Sequence, residues 1–209
     1  MNPETRKELP AGLRIRVGTA DDATLIAKLG ADTFAASFSA QNTPENLAKH
    51  IAGAYGEEIQ QRELADPAVT YLIAEQHGRL AGYAQVREGD APECVSGPAL
   101  IEVRRFYVIH DFHGSGIAQA LMDACADEAR RRRACTLWLG VWDQNPRAIR
   151  FYTKCGFQDV GVRPSCWATI RSRTACCVGG WRRARVRAGT RSPGAVRSTA
   201  RRRYPRRSG

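Results

Sequence analysis

No stretch of this chain approaches the roughly 20 consecutive apolar residues that a membrane-crossing helix requires. Its start, Met1 to Pro10, is charged, contains proline and lacks the apolar region of a secretory signal. These absences argue against a membrane partner and set the expected compartment as the cytoplasm. The seven cysteines are odd in number and lack metal-ligand spacing, so reduced thiols and no metal site are expected. Cys94, Cys125, Cys135 and Cys155 are expected to be small buried residues. No internal repeat is present.

Acidic residues and lysine are both missing from the last part of the chain. Residues 165–209 hold 13 basic residues, all Arg, and no acid, whereas residues 1–164 hold 19 Lys plus Arg against 21 Asp plus Glu. The formal net charge of +11 therefore belongs to the tail. A nucleic-acid partner is expected through that tail or not at all. With 209 residues and 43% hydrophobic content, the chain can bury one substantial core. Composition divides it into a lead-in (1–12), one domain (13–164) and an Arg-rich tail (165–209).

Within the domain, Leu13, Ile15 and Val17 alternate with Arg14 and Arg16, which predicts a half-buried strand. Thr19 or Asp21 is placed to cap a helix with Leu25, Ile26 and Leu29 as its apolar stripe, continuing through Phe34 and Phe38. Thr43 and Pro44 suit the start of a second helix lined by Leu47, Ile51 and Tyr55. Strands are predicted at Tyr71–Glu75 and Leu80–Val86, joined through His77-Gly78-Arg79. Residues 88–98, rich in Gly, Pro and acids, predict a loop. Later come a helix ending in the solvated cations Arg130 to Arg133, a strand over Thr136–Trp142, a helix over Asn145–Cys155 stopped by Gly156, and a strand from Phe157 to Val162.

The stretch from Glu102 to Leu121 organises the rest. An alternating β-branched and aromatic run ends at Val108, and after a short turn a glycine-rich segment opens a helix in which Ile117, Leu121 and Cys125 recur every four residues. A helix start of this kind offers unpaired N–H groups and the positive end of the helix dipole, which suit a phosphate. His113-Gly114-Ser115-Gly116-Ile117-Ala118 resembles the Gln/Arg-x-x-Gly-x-Gly/Ala pyrophosphate loop of the GNAT superfamily of acyl-CoA N-acyltransferases. Arg105-Phe106-Tyr107-Val108 resembles the strand before that loop. A second motif, Asn145-Pro146-Arg147-Ala148-Ile149-Arg150-Phe151-Tyr152-Thr153-Lys154-Cys155-Gly156-Phe157, follows at the family's distance. The resemblance covers roughly residues 13 to 164, and one position departs from it: His113 stands where Gln or Arg is usual.

The resemblance implies an α/β GNAT fold, with a mixed central sheet splayed between its fourth and fifth strands and helices on both faces. It also implies acetyl-CoA as co-substrate and a small-molecule amine as acceptor. Phe106, Tyr107 and Val108 would hold the pantetheine and acetyl groups, and His113, Gly114, Ser115, Gly116, Ile117 and Ala118 the pyrophosphate. Tyr152 matches the general acid for the leaving thiolate, while Asn145 and Lys154 match cofactor contacts; each also has a structural reading, Asn145 as a helix cap and Lys154 as a solvated cation. An amine of pKa about 10.4 is only about one part in a thousand neutral at pH 7, so deprotonation needs help. Glu102 is the carboxylate the family analogy selects, and a strand-face ion pair with Arg104 is its structural alternative. Phe34 and Phe38 either wall the acceptor site or belong to the core. The stretches Phe34 to Leu47 and Trp138 to Trp142 look most like the spermidine/spermine acetyltransferases, which implies a polyamine acceptor. Whether two copies form a homodimer is left open.

After Ser165 the periodicity stops, and the family's final strand is expected to be missing or replaced by a disordered tail. Regrouping the codons of Ser165 to Arg171 by one base turns Cys166-Trp167-Ala168 into Leu-Gly. With C/G-rich codons the run becomes Phe-Val-Leu-Gly-Asp-Asp-Pro, which resembles the closing segment of the polyamine-acetylating branch. The tail is therefore expected to be out of frame, and a damaged, inactive domain is the alternative to an active enzyme. Nucleic-acid binding through the tail is the alternative from a different functional class.

Overall fold

The computed structural model describes residues 9–39, 42–167 and 170–179, with side chains through Val162. Its strands are β1 (Leu13–Val17), β2 (Val69–Gln76), β3 (Arg79–Arg87), β4 (Leu100–Val108), β5 (Thr136–Trp142), β6 (Gln158–Trp167) and β7 (Ile170–Gly179). They form one sheet in the order β1-β2-β3-β4-β5-β7-β6, antiparallel throughout except where β4 meets β5. The helices are α1 (Ala23–Phe38), α2 (Pro44–Tyr55), α3 (Glu57–Ala65), α4 (Ile117–Arg131) and α5 (Pro146–Lys154). The mixed α/β architecture is the expected one. No described helix is long and apolar enough to cross a membrane.

Local chemistry explains most boundaries. Thr19, of the two caps weighed, begins the first helical segment: its N–H donates to Asp22 Oδ2 at 2.7 Å, and a single 3-10 turn leads into α1. Leu25 of the expected stripe is exposed, while Ile26 and Leu29 are buried. Thr43 Oγ1 accepts from Asn46 N at 3.3 Å with Pro44 in the first turn of α2, as its sequence predicts. The β2–β3 turn is His77-Gly78, both in the left-handed region at φ 49° and 75°, and Arg79 already belongs to the strand. Helix α3 has no counterpart in the sequence reading. Its one buried residue is Gln60, a polar side chain, so it shows no apolar stripe to read.

Hydrophobic core covers both faces of the sheet. On one face Ile117, Leu121 and Cys125 of α4, all fully buried, pack on Ala84, Val86, Ile101 and Val103 together with Tyr152 and Phe157. Ile117 and Leu121 each contribute about 1.5–3 kcal/mol by leaving water. On the other face Ile26 and Leu29 of α1, with Leu64 of α3, cover Tyr71, Ile73 and Tyr83. Of the cysteines expected to be buried, Cys125 is buried, Cys94 and Cys155 are half-buried and Cys135 is exposed at the turn between α4 and β5; all four are free thiols.

The far end of the sheet departs from the expectation of a missing final strand. Ile170–Gly179 pairs antiparallel with β5 on one side and β6 on the other, so the backbone of β7 closes the sheet. Residues 180–209, where the Arg-rich and disordered-tail reading mostly falls, lie outside the described residues.

Arg130 to Arg133 do more than solvate a helix end. Arg131 donates twice to Glu128 at 2.7 Å, and Arg132 reaches Glu128 Oε1 at 2.7 Å, Glu88 Oε1 at 2.8 Å and Thr70 Oγ1 at 2.7 Å. Thr70 in turn donates to Glu128 at 2.7 Å, which ties α4 to β2. Burial opposes the Glu128 charge, but the hydrogen bonds from Arg131, Arg132 and Thr70 outweigh it and hold the carboxyl down at about 2. Because this pKa is depressed, the stabilisation is complete above the unfolded value, about 4.3, and is lost as pH falls toward 2. Glu128→Gln is expected to cost on the order of 1–3 kcal/mol at pH 7. Urea unfolding of both proteins at several pH values should show that deficit shrinking between about pH 4.3 and 2.

Candidate active site

β4 and β5 stay in register only from Leu100↔Thr136 to Val103↔Leu139. The cause lies on the other edge of β4. Gln85 of β3 faces Arg105 and Val86 faces Val103, which leaves Arg104 as the extra residue of a β-bulge. A bulge bends its strand and sharpens the twist. It also reverses the alternation: Ile101 and Val103 point to the α4 face before it, and Phe106 and Val108 after it. Tyr107 packs on the α1 face. Close contact with β3 survives because residue 82 is glycine, where a Cβ would stand 2.4 Å from Tyr107 O. The parted strands open a cleft of about 820 Å³ that takes in Arg104 to Val108, and β5 pairs with none of those residues.

One end of the cleft is the start of α4. A 3-10 turn, His110–Phe112, leads to His113, whose Nε2 lies 2.9 Å from Val108 O. Since a carbonyl can only accept, Nε2 carries the proton and His113 fastens the loop to the end of β4. Burial pushes the His113 pKa below its usual value, the Val108 bond opposes this, and the nearby Arg147 and His110 add to it. Ser115 Oγ donates to Phe112 O at 2.6 Å, an internal tie of the loop. Gly114 and Gly116 sit at φ 83° and 88°, a left-handed conformation that costs other residues roughly 1–2 kcal/mol. Ala120 is the residue whose N–H first bonds within the helix, to Gly116 O at 3.1 Å, so the N–H groups of Ile117, Ala118 and Gln119 form the unpaired helix start. Gly114, Gly116 and Ala118 line the cleft, Ile117 is fully buried under the loop, and Ser115 is exposed outside the lining.

Helix α5 forms the wall facing β4. Asn145 accepts from Ala148 N at 3.0 Å and caps the helix, while its residue also borders the cleft. Lys154 and Arg147 lie along the same wall. Tyr152 is 9% exposed and borders the cleft, with its ring edge-on to Phe106 at 6.1 Å and to Phe157 at 5.9 Å. Phe151 is the less buried of the two aromatic neighbours.

The opposite mouth lies on the α1 face. Phe38 lines it beside Trp142, 5.4 Å between ring centroids, whereas Phe34 is 1% exposed and stacks on His50 at 4.4 Å in the core. Of the two readings held for these aromatics, Phe38 is at the wall and Phe34 in the core. Tyr107 reaches the Tyr55 hydroxyl at 3.1 Å, and burial raises both phenols above their usual values. Glu102 is 4% exposed and outside the lining; its Oε2 accepts from Arg87 Nε at 3.1 Å and lies 3.7 Å from Arg104 Nη1. The sequence reading passes over Arg147, Gly140 and Trp142 as site residues and takes Arg104 only as an ion-pair partner. Alternation along β5 was the available signal, since Trp138, Gly140 and Trp142 share a face.

The cleft fits a nucleotide thioester by the chemistry of its parts. Arg147, Lys154 and the α4 start answer phosphates, the unpaired β4 edge answers amides, and Phe106, Val108 and Phe151 give an apolar passage. Comparison with known proteins agrees. A family model described as "Acetyltransferase (GNAT) family" matches residues 35–157. An uncharacterized N-acetyltransferase of Mycobacterium tuberculosis strain H37Rv is 33% identical over 142 residues, 68% of this chain and 86% of that protein. The crystal structure of PaiA N-acetyltransferase from Thermoplasma acidophilum with coenzyme A superposes with TM-score 0.65 at 16% identity, covering 81% of this chain and 99% of that one. A variant of spermidine N-acetyltransferase SpeG from Vibrio cholerae gives 0.58 at 18% identity, covering 80% and 93%. No single branch stands out, so the resemblance to the spermidine/spermine enzymes narrows only as far as the superfamily. With the family's model matched over more than half of the residues, and its strand, glycine loop and capped helix standing around one cleft, the chain belongs to the GNAT family of acetyl-CoA-dependent acetyltransferases.

Proposed function

We propose that this protein transfers the acetyl group of acetyl-CoA to the primary amine of a small molecule. The observation that carries this reading is the passage through the sheet between β4 and β5, with the glycine loop on the α4 face and an aromatic-walled mouth on the α1 face. When bound, acetyl-CoA supplies an activated acyl group and a thiolate leaving group. The α4 start, Arg147 and Lys154 hold its phosphates, and the open edge of β4 from Phe106 to Val108 holds the pantetheine amides and orients the carbonyl. Tyr152, in the cleft against Phe106, donates a proton to the departing sulfur.

Glu102 has two roles that the geometry keeps apart. As a base it would take the amine proton through water, because its buried carboxylate does not reach the lining. Its contacts with Arg87 and Arg104 favour the second role, an anion that holds the arginines of this face in place. A polyamine acceptor rests on the sequence resemblance of the Phe34 to Leu47 and Trp138 to Trp142 stretches. The cations along the cleft oppose it, since a polycation would have to approach Arg104.

We also propose that the residues after about Pro164 are translated out of frame. The nucleotide sequence tests this: a one-base shift there should restore the Leu-Gly-containing closing segment, and an intact frame shared by related genes overturns it.

Tyr152→Phe is expected to lower kcat by about 10²- to 10⁴-fold, the usual worth of a general acid, while acetyl-CoA affinity by calorimetry stays unchanged. Undiminished turnover would remove Tyr152 from the mechanism. For Glu102→Gln, loss of the acidic limb of the pH–rate profile, where rate rises as the base deprotonates, marks the base, whereas an unchanged profile with a raised acceptor KM marks the positioning role.

A further inference from the structure

Among the described residues, three arginines beside the acceptor mouth on the α1 face, Arg87, Arg104 and Arg105, share the two carboxylates of Glu63 and Glu102. Arg105 is ion-paired with Glu63 and hydrogen-bonded to Gln60 Oε1 at 3.1 Å and Ala54 O at 2.9 Å, so its charge is spent on α2 and α3. Arg87 donates to Glu102 at 3.1 Å. Among the described residues, the carboxylate within ion-pair distance of Arg104 is that same Glu102 oxygen, at 3.7 Å, and the Arg104 side chain is 40% exposed in the cleft. Burial pushes the Arg104 pKa below its usual value; Glu102 and, more weakly, Glu63 oppose this, and Arg87 and Arg105 add to it. A cation so placed is under-compensated.

The space in front of Arg104 is also shaped. Gly140 of β5 borders the same cleft as Arg104, and glycine leaves its position there without a side chain. Trp142, two residues on along the same face, meets Phe38 of α1. The result is a guanidinium beside an open position and an aromatic wall, next to the strand edge where the acetyl carbonyl is held. The fork of a guanidinium matches a carboxylate through two parallel hydrogen bonds.

Resting on the acetyltransferase reading above, we infer that the acceptor is a primary amine that also bears a carboxylate, as amino acids do, and that Arg104 binds that carboxylate. Arg104 then determines specificity by orienting the amine toward the thioester, and Glu102 positions Arg104. A polyamine, which has no anionic group, gains nothing from this guanidinium and is repelled by it.

The test measures steady-state acetylation at saturating acetyl-CoA with matched pairs, L-phenylalanine against phenethylamine and L-leucine against isoamylamine, with spermidine alongside. The carboxylate-bearing member should have the higher kcat/KM. Arg104→Gln should raise its KM by about 10- to 100-fold, the worth of a charge-assisted hydrogen bond, while the KM of the decarboxylated amine does not rise and the acetyl-CoA affinity is unchanged. Arg104→Lys, which keeps the charge without the fork, should fall between. Preference for the decarboxylated amines or for spermidine overturns the inference, and so does an equal loss for both members of a pair. Acetyl-CoA binding without acetylation of either amino acid overturns it too. Failure to bind acetyl-CoA at all would instead sink the acetyltransferase reading on which it rests.

Discussion

Four residue pairs join β4 to β5 before Arg104, the extra residue of a bulge, turns the rest of β4 away. A buried strand edge ordinarily costs stability, because each unmet backbone group forfeits on the order of 1–3 kcal/mol. Here that edge opens onto a cleft where water or a ligand can meet it. The same bend carries the end of β4 to the loop before α4, and the His113 contact to Val108 O fastens the two. Strand edge, glycine loop and the Tyr152 wall thus face one volume as consequences of one inserted residue.

The bend would be poorly held if the α1 face were loose. Arg105, the residue after the bulge, is 9% exposed, lies 5.1 Å from the Tyr55 ring and binds Glu63, Gln60, Tyr71 and the Ala54 carbonyl. Burial works against its charge, but Tyr71 and Glu63 outweigh that and raise its pKa. A buried guanidinium with its donors satisfied is a specific constraint, since any shift of α2 or α3 leaves a charge unpaired. That constraint places Tyr55 against Tyr107, and Tyr107 against the mouth of the cleft.

This dependence on the bulge also marks what the sequence can and cannot reveal. Period-two reading finds β4 and its end at Val108, and the glycines, caps and four-residue spacing find α4 and α5, because those signals are local. The same reading sets Glu102, Arg104, Phe106 and Val108 on one face. In the structure Phe106 and Val108 lie with Ile101 and Val103 instead. An inserted residue leaves no mark in composition: the Glu102–Arg104 pair was legible from alternation, but the break that sends Phe106 and Val108 to the other face was not. Phe34 and Phe38 share helical spacing, yet only one reaches the wall, because α2 and His50 cover the other. Helix α3 is silent for a related reason: its buried residue, Gln60, serves Arg105 rather than an apolar core.

The closing strand shows the converse, a structure that asks little of sequence. β5 pairs with β4 along part of one edge, and its other edge needs a partner or stands open to association. β7 supplies that partner from Leu137↔Gly179 to Trp142↔Thr174. A backbone ladder is made by N–H and C=O groups that every residue but proline carries, so a run chosen by another reading frame can still form one. Proline is the exception, and Pro164 falls in β6, the outermost strand, opposite Arg173. There its missing N–H can face away from the sheet. The presence of β7 is thus compatible with a shifted frame, because the ladder constrains the backbone alone.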